Sequence, residues 1–186
     1  VKSAMQVYGE SAFNALYGVV EPVNPARIRT VEDHEVILWG TRRLTFLHTL
    51  GHAKHHICVH DSGSNGVFTG DAFGIAFPST SSDGRRYLLC SCPPTDFDAE
   101  QARITARRVV ATGAEVAYLT HYGAFPNVAA GADVLVRSID AMEAILNDAA
   151  ATGLEEEALR PWCRDRVLEA IARQLGECGL DAEGEE

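Results

Sequence analysis

The sequence predicts an α/β layer protein, and three observations predict it. Apolar residues recur at helical spacing in four stretches. They alternate or run together in five short β-type stretches. The two kinds interleave as helix, strands, helix, strand, helices, with no internal repeat, which is the order of a layered sheet protein. The chain has 186 residues, one domain or slightly more at roughly 150 residues each. The expected division is a main domain over residues 1–150 and an acidic C-terminal helix and tail over residues 151–186.

Residues 3–17 read as a helix, because Met5, Tyr8, Ala12, Ala15 and Leu16 share one face and Gly18 follows as a stop. Pro22 and Pro25 make the next segment a loop. Residues 36–39 and 43–48 form a hairpin about Gly40-Thr41, and residues 56–60 make a third strand. Turn chemistry from Asp61 to Gly66 leads into a fourth strand at 67–69. Residues 74–98 read as a long loop, with a candidate strand at Tyr87-Leu88-Leu89. Asp98 is placed to cap a helix over 99–112, closed by Gly113. Residues 115–120 form a buried-type strand running into His121-Tyr122-Gly123, and helices follow near 127–150 and 155–176.

Apolar residues make up 46% and charged residues 23%, enough for a sizeable core, which excludes disordered and collagenous classes. No apolar run reaches the roughly 18–20 residues of a membrane-spanning helix, so no membrane partner is expected. The net charge is −10, and residues 154–186 carry ten acids against four bases. That field repels phosphate backbones, so no nucleic-acid partner is expected either. Five cysteines at irregular spacing cannot all pair within one chain, and free thiols in the cytoplasm are the expected state. Cys90-Ser91-Cys92 is spaced more tightly than a usual zinc pair.

Candidate chemistry gathers at strand exits. His52 follows Gly51 after the second strand, Asp71 follows Thr69-Gly70 after the fourth, and His121 ends the last strand. Imidazole nitrogen and carboxylate oxygen suit a metal ion. His52 and His56 are four residues apart, as a helical zinc pair would be, but strand-like sequence flanks them and places them in a loop.

Taken together, Thr49-Leu50-Gly51-His52, His56, Phe68-Thr69-Gly70-Asp71 and Leu119-Thr120-His121 resemble the second half of the metallo-β-lactamase fold hydrolases, from about Val36 to Gly123. The resemblance implies the second half of a four-layer αβ/βα sandwich with extra C-terminal helices. It implies two divalent metal ions, zinc first and iron or manganese as alternatives, with His52 on one ion, Asp71 on both and His121 on the other. His56 matches a supporting histidine of the family's turn. The implied activity is hydrolysis of an ester, thioester or lactam-type bond of a small molecule by a metal-held hydroxide.

Two departures stand against it. Leu50 replaces the proline of the family's turn, and the upstream His-x-His-x-Asp-His motif is absent. With the opening Val1, this gives the expectation of a fragment whose first half, or a second copy in a homo-oligomer, supplies the other ligands. The alternatives are a catalytically incomplete half-domain acting as a structural or subunit partner, and a di-iron redox relative. No general acid or base is identified, and Tyr122 is a candidate oxyanion donor. Lys54 and His55 are candidates to line the cleft, and Arg85 and Arg86 to meet an anionic substrate. Arg103, Arg107 and Arg108 read as the wet face of a helix, and His48 and His60 as structural.

Overall fold

The computed structural model describes residues 2–82, 85–92 and 97–180. Its contacts divide the chain into two compact units, Val1–Val31 and Glu32–Glu186. The acidic tail over 181–186, and residues 83–84 and 93–96 of the long loop, lie outside the described residues.

The first unit holds two helices where the spacing predicts one. Helix α1 (Lys2–Tyr8) and helix α2 (Glu10–Tyr17) are separated by Gly9 at φ 79°. That left-handed conformation suits a residue without a Cβ and interrupts the helical dihedrals. Tyr17 lies 4.9 Å from Phe13 and 6.2 Å from Tyr8, ring to ring, so the two helices share an aromatic contact.

The second unit is built on a six-stranded sheet: β1 (Val36–Trp39), β2 (Arg42–His48), β3 (Ile57–Asp61), β4 (Gly66–Gly70), β7 (Val116–Leu119) and β8 (Gly123–Pro126), in that spatial order. Strands β1 to β4 form an antiparallel meander, β4 pairs with β7 in parallel, and β8 returns antiparallel to β7. Strand β8 has no counterpart in the sequence reading. A further pair, β5 (Ser81–Ser82) and β6 (Arg85–Arg86), stands apart from this sheet. The candidate strand at 87–89 is reduced to one bridge, Ile75 to Leu89, because Tyr87 and Leu88 are buried by packing instead of pairing.

Helix α3 (Ala99–Ala111) is the crossover between the parallel strands β4 and β7. Asp98 caps it, its carboxylate accepting the Gln101 N–H at 3.0 Å. Helix α4 (Val128–Ala151) packs beside α3, and helix α5 (Glu156–Glu177) packs on α4. Ala102, Ala106 and Val109 of α3 and Leu135 and Ile139 of α4 meet Leu47, Cys58, Val67, Ala117 and Phe125 of the sheet in one core. Ala170 joins that core from α5, so residues 156–180 belong to the same compact unit as the sheet. Two of the arginines read as a wet face are engaged: Arg103 with Asp140 and Glu143 of α4, and Arg108 with Asp33 and the His48 carbonyl.

The opposite face of the sheet is also apolar. The register aligns Phe46, Val59, Phe68, Tyr118 and Ala124 across five strands. Phe68 stacks on Tyr118 at 4.8 Å and remains 50% exposed, and Ile57 of the same face is 41% exposed.

Strand directions decide where the chemistry lies. Strands β2, β4 and β7 all run the same way, so their C-terminal exits open at one end of the sheet, the end where α/β sheets bind ligands. The β2 exit is fastened to α3: Thr105 Oγ1 donates to the Leu50 carbonyl at 2.7 Å and the Asp98 N–H to the Gly51 carbonyl at 2.9 Å. A Cβ on Gly51, which sits at φ 111°, would run into the Ala102 backbone. Gly51→Ala therefore combines backbone strain with overpacking, together about 3 kcal/mol. The expected result is a melting temperature roughly 5–12 °C lower in a thermal unfolding scan.

Candidate metal centre

Asp71 stands between two histidines. Its Oδ2 lies 3.7 Å from His52 Nε2 and its Oδ1 lies 3.2 Å from His121 Nε2. Oδ1 is buried and accepts no hydrogen bond. A carboxylate oxygen held away from water without a donor is costly unless a cation satisfies it. The three strand-exit residues singled out in the sequence are thus brought together in pairs through Asp71. No trio of His, Cys, Asp or Glu among the described residues is closed into a metal cage.

Each of the three is aimed by its own local structure. Gly70 takes φ 51°, and a Cβ there would collide with His56 Nε2. Glycine therefore lets the β4 exit turn over the His56 ring and direct the Asp71 carboxylate outward. The Thr120 N–H reaches the Gly70 carbonyl at 3.4 Å, which keeps the β7 exit beside the β4 exit. His121 stands two residues past the end of β7, in the β7–β8 turn, and not on the strand itself. Tyr122 completes that turn at φ 69°, a left-handed position that its ring contact with Phe77, at 5.0 Å, helps to fix.

His56 does not face the carboxylates. Its Nε2 accepts the Asp71 N–H at 3.2 Å, so its proton is on Nδ1, which donates to Thr49 Oγ1 at 2.8 Å. Burial lowers its pKa from the ordinary value of 6.5, and His52 and His55 lower it further against an opposing pull from Asp71. Both ring nitrogens are used, and the ring is neutral. His52 presents Nε2 to Asp71, while its Nδ1 faces the Ser91 carbonyl at 3.4 Å and the Ser91 hydroxyl at 3.3 Å. A metal-binding imidazole usually has such a partner on its far nitrogen.

The other candidates lie around this centre or away from it. Lys54 and His55 are exposed on the loop carrying His52, and the Lys54 carbonyl accepts the His48 ring N–H at 2.9 Å. Arg86 donates to the Ala124 carbonyl and lies over the Phe125 ring, so its charge is held against β8. Arg85 precedes it on β6. Cys58 is buried against Thr49 and Thr69, and burial pushes its thiol up to about 11, which leaves it unreactive. Cys90 and Cys92 stand with sulfurs 3.4 Å apart on either side of Ser91. Their mutual hydrogen bond raises the Cys90 thiol and lowers that of Cys92. Ser91 as the partner of His52 was invisible in the sequence, because the two residues meet only in the folded chain; Thr49 was visible only as part of the motif.

The chain matches the Metallo-beta-lactamase superfamily model over residues 4–121 and belongs to that superfamily. Among solved structures it is similar to the metallo-beta-lactamase superfamily protein ST1585 from Sulfolobus tokodaii, with a TM-score of 0.57 and 20% identity over 95% of this chain and 62% of that one. It is likewise similar to TTHA1429 from Thermus thermophilus, with a TM-score of 0.53 and 22% identity over 96% and 61%. Among curated proteins, the acyl-coenzyme A thioesterase MBLAC2 of Gallus gallus is 37% identical over 59 residues, which is 32% of this chain and 21% of that protein. Its Homo sapiens counterpart is 40% identical over 52 residues, 28% of this chain and 18% of that protein. The chain therefore aligns with about a fifth of these curated relatives and with about three fifths of the solved structures.

The neutral state of His56 has a consequence for stability. The folded ring resists protonation, whereas in the unfolded chain it takes a proton near pH 6.5. Below that value the unfolded state binds more protons than the folded one, so stability falls as pH falls. Urea unfolding of the metal-free chain should show its midpoint dropping between about pH 7 and pH 5. His56→Asn, which cannot titrate, should lower the midpoint at neutral pH and flatten this dependence.

Proposed function

We propose that the chain carries one side of a divalent-metal centre that hydrolyses an acyl thioester. The observation that carries the reading is Asp71, whose buried Oδ1 has no hydrogen-bond donor and whose two oxygens face His52 and His121. Two imidazoles and a carboxylate suit zinc, with iron and manganese as the other ions such donors accept. Such an ion, when bound, polarises an acyl carbonyl and lowers the pKa of water. Ser91 holds the His52 ring by its far nitrogen, and His56 holds the Asp71 backbone while remaining neutral itself. Tyr122, half exposed beside His121, is the candidate donor to a substrate oxygen on this reading. The thioester, chosen over an ester or lactam, rests on the similarity to the acyl-coenzyme A thioesterases.

Three donors serve two ions poorly, and no His-x-His-x-Asp-His motif occurs in the 186 residues. The remaining donors come from another segment or from a second copy. The apolar row through Phe46, Val59, Phe68 and Tyr118 favours a partner layer on that face. By itself that row also suits the second reading, a half-domain whose role is subunit assembly.

Zinc titration of metal-free chain by calorimetry is the direct test. Binding is expected, weakened roughly 10–100-fold or more in His52→Ala and in Asp71→Ala. Equal binding by all three chains would sink the assignment. Thiol release from an acyl-coenzyme A, compared with turnover of an ester and a lactam by the zinc-loaded chain, tests the substrate. Preference for the thioester supports the reading, and no turnover of any of them leaves the subunit role.

A further inference from the structure

Cys90 and Cys92 are placed as a reactive pair by several separate contacts. Their sulfurs are 3.4 Å apart. Cys90 is buried in the main core, and its backbone N–H is held by the Ser138 hydroxyl of α4 at 2.9 Å. Cys92 is exposed. One thiol is therefore fixed and shielded, and the other, two residues on, is open to solvent. The residue between them, Ser91, meets His52 Nδ1 through both its carbonyl and its hydroxyl, at 3.4 and 3.3 Å. The remaining thiols, Cys58, Cys163 and Cys178, have no such neighbour among the described residues.

We propose that Cys90 and Cys92 form a dithiol–disulfide site that exchanges with low-molecular-weight disulfides such as oxidised glutathione, and that closing it withdraws Ser91 from His52. The exchange runs in two displacements. The Cys92 thiolate attacks one sulfur of the small disulfide, the S–S bond breaks, and one small thiol leaves with a proton, giving a mixed disulfide on Cys92. With Cys92 in the mixed disulfide, the hydrogen bond that most raises the Cys90 thiol is gone; its proton passes to the departing small thiolate as its sulfur attacks Cys92 Sγ and expels that second small thiol. Two protein thiols are oxidised, one small disulfide is reduced to two thiols, and both protons end on those thiols.

Closure has a geometric consequence. The sulfurs must draw together from 3.4 Å to about 2.05 Å with the dihedral near a right angle that a disulfide requires. Cys90 is anchored by the core and by Ser138, so the movement falls on Ser91 and Cys92. Ser91 carries both contacts to His52 Nδ1, and rotating its peptide and hydroxyl removes the groups that set the ring's orientation. The inference concerns this dithiol alone and stands whether or not Asp71 binds a metal.

The test treats the reduced, metal-free 186-residue chain and its Cys92→Ser variant with oxidised glutathione. Intact mass, followed by peptide mapping, reads the linkage. The parent chain should lose the mass of two hydrogen atoms and yield a Cys90–Cys92 linked peptide, reversed by a reductant; the variant should yield neither. A glutathione adduct persisting on Cys92 without that linkage overturns the exchange. Nitrogen-15 spectra of the histidine rings read the coupling. The His52 ring signals should shift on closure of the parent chain and stay in place in the treated variant. A linked chain with unmoved His52 signals overturns the control of His52 by the dithiol.

Discussion

The centre depends on one neutral imidazole. His56 joins Thr49, at the end of β2, to the backbone of Asp71, at the end of β4, with one nitrogen donating and the other accepting. The loop between Thr49 and His56 is closed at its base by this ring and by the Thr49 N–H donating to the His56 carbonyl at 3.0 Å. His52 lies inside that closed loop, so its position relative to Asp71 is set by the same ring. A charged His56 would have a proton on Nε2, aimed at the Asp71 N–H, and the link would break. Burial and two neighbouring histidines favour the neutral ring against the pull of Asp71. Gly70 follows from the same constraint, since the His56 ring occupies the space where any side chain would go.

The meander and the crossover give this arrangement its frame. Two reversals bring β4 back to the direction of β2, and the α3 crossover gives β7 that direction too. Three exits on one side of a sheet follow from those connections alone. Helix α3 then fastens the first exit from beneath, through Thr105 and the residue that caps it, Asp98. The element that makes the parallel pair possible therefore also holds the His52 loop.

Much of this was legible in the sequence, for local reasons. The β1–β2 hairpin, the Asp98 cap, the glycines before His52 and Asp71 and the strand that runs toward His121 are written in neighbouring residues. Gly9 gives no break in the sequence pattern, because helical spacing continues on both sides of it and only its left-handed φ divides the helix. Strand β8 leaves little mark in the sequence, being four residues long and ending in a proline, and it exists by pairing with β7. Tyr87 and Leu88 looked like a strand because they are apolar. They are apolar because they are buried, Tyr87 with its hydroxyl on Gln174 at 2.7 Å. Ser91 carried no signal at all, since 39 residues separate it from His52. What the sequence withheld was consistently the contact between distant segments.

The two faces of the sheet bear on the donor count. A strand pair that runs parallel is ordinarily covered on both sides, because its connections place helices against it. Here α3 and α4 cover one face, while Phe68 on the other, opposite Tyr118 of β7, is half exposed. The centre is lopsided in the same sense: its donors all come from exits of this one sheet, and Asp71 keeps a buried oxygen that accepts no hydrogen bond. On the proposed reading these are one deficit. A second layer laid on the row from Phe46 to Tyr118 would cover the sheet, and one that reached its exit end would bring donors to Asp71. The apolar row and the carboxylate oxygen without a hydrogen bond are then answered by one partner layer, the first through its apolar area and the second through its charge.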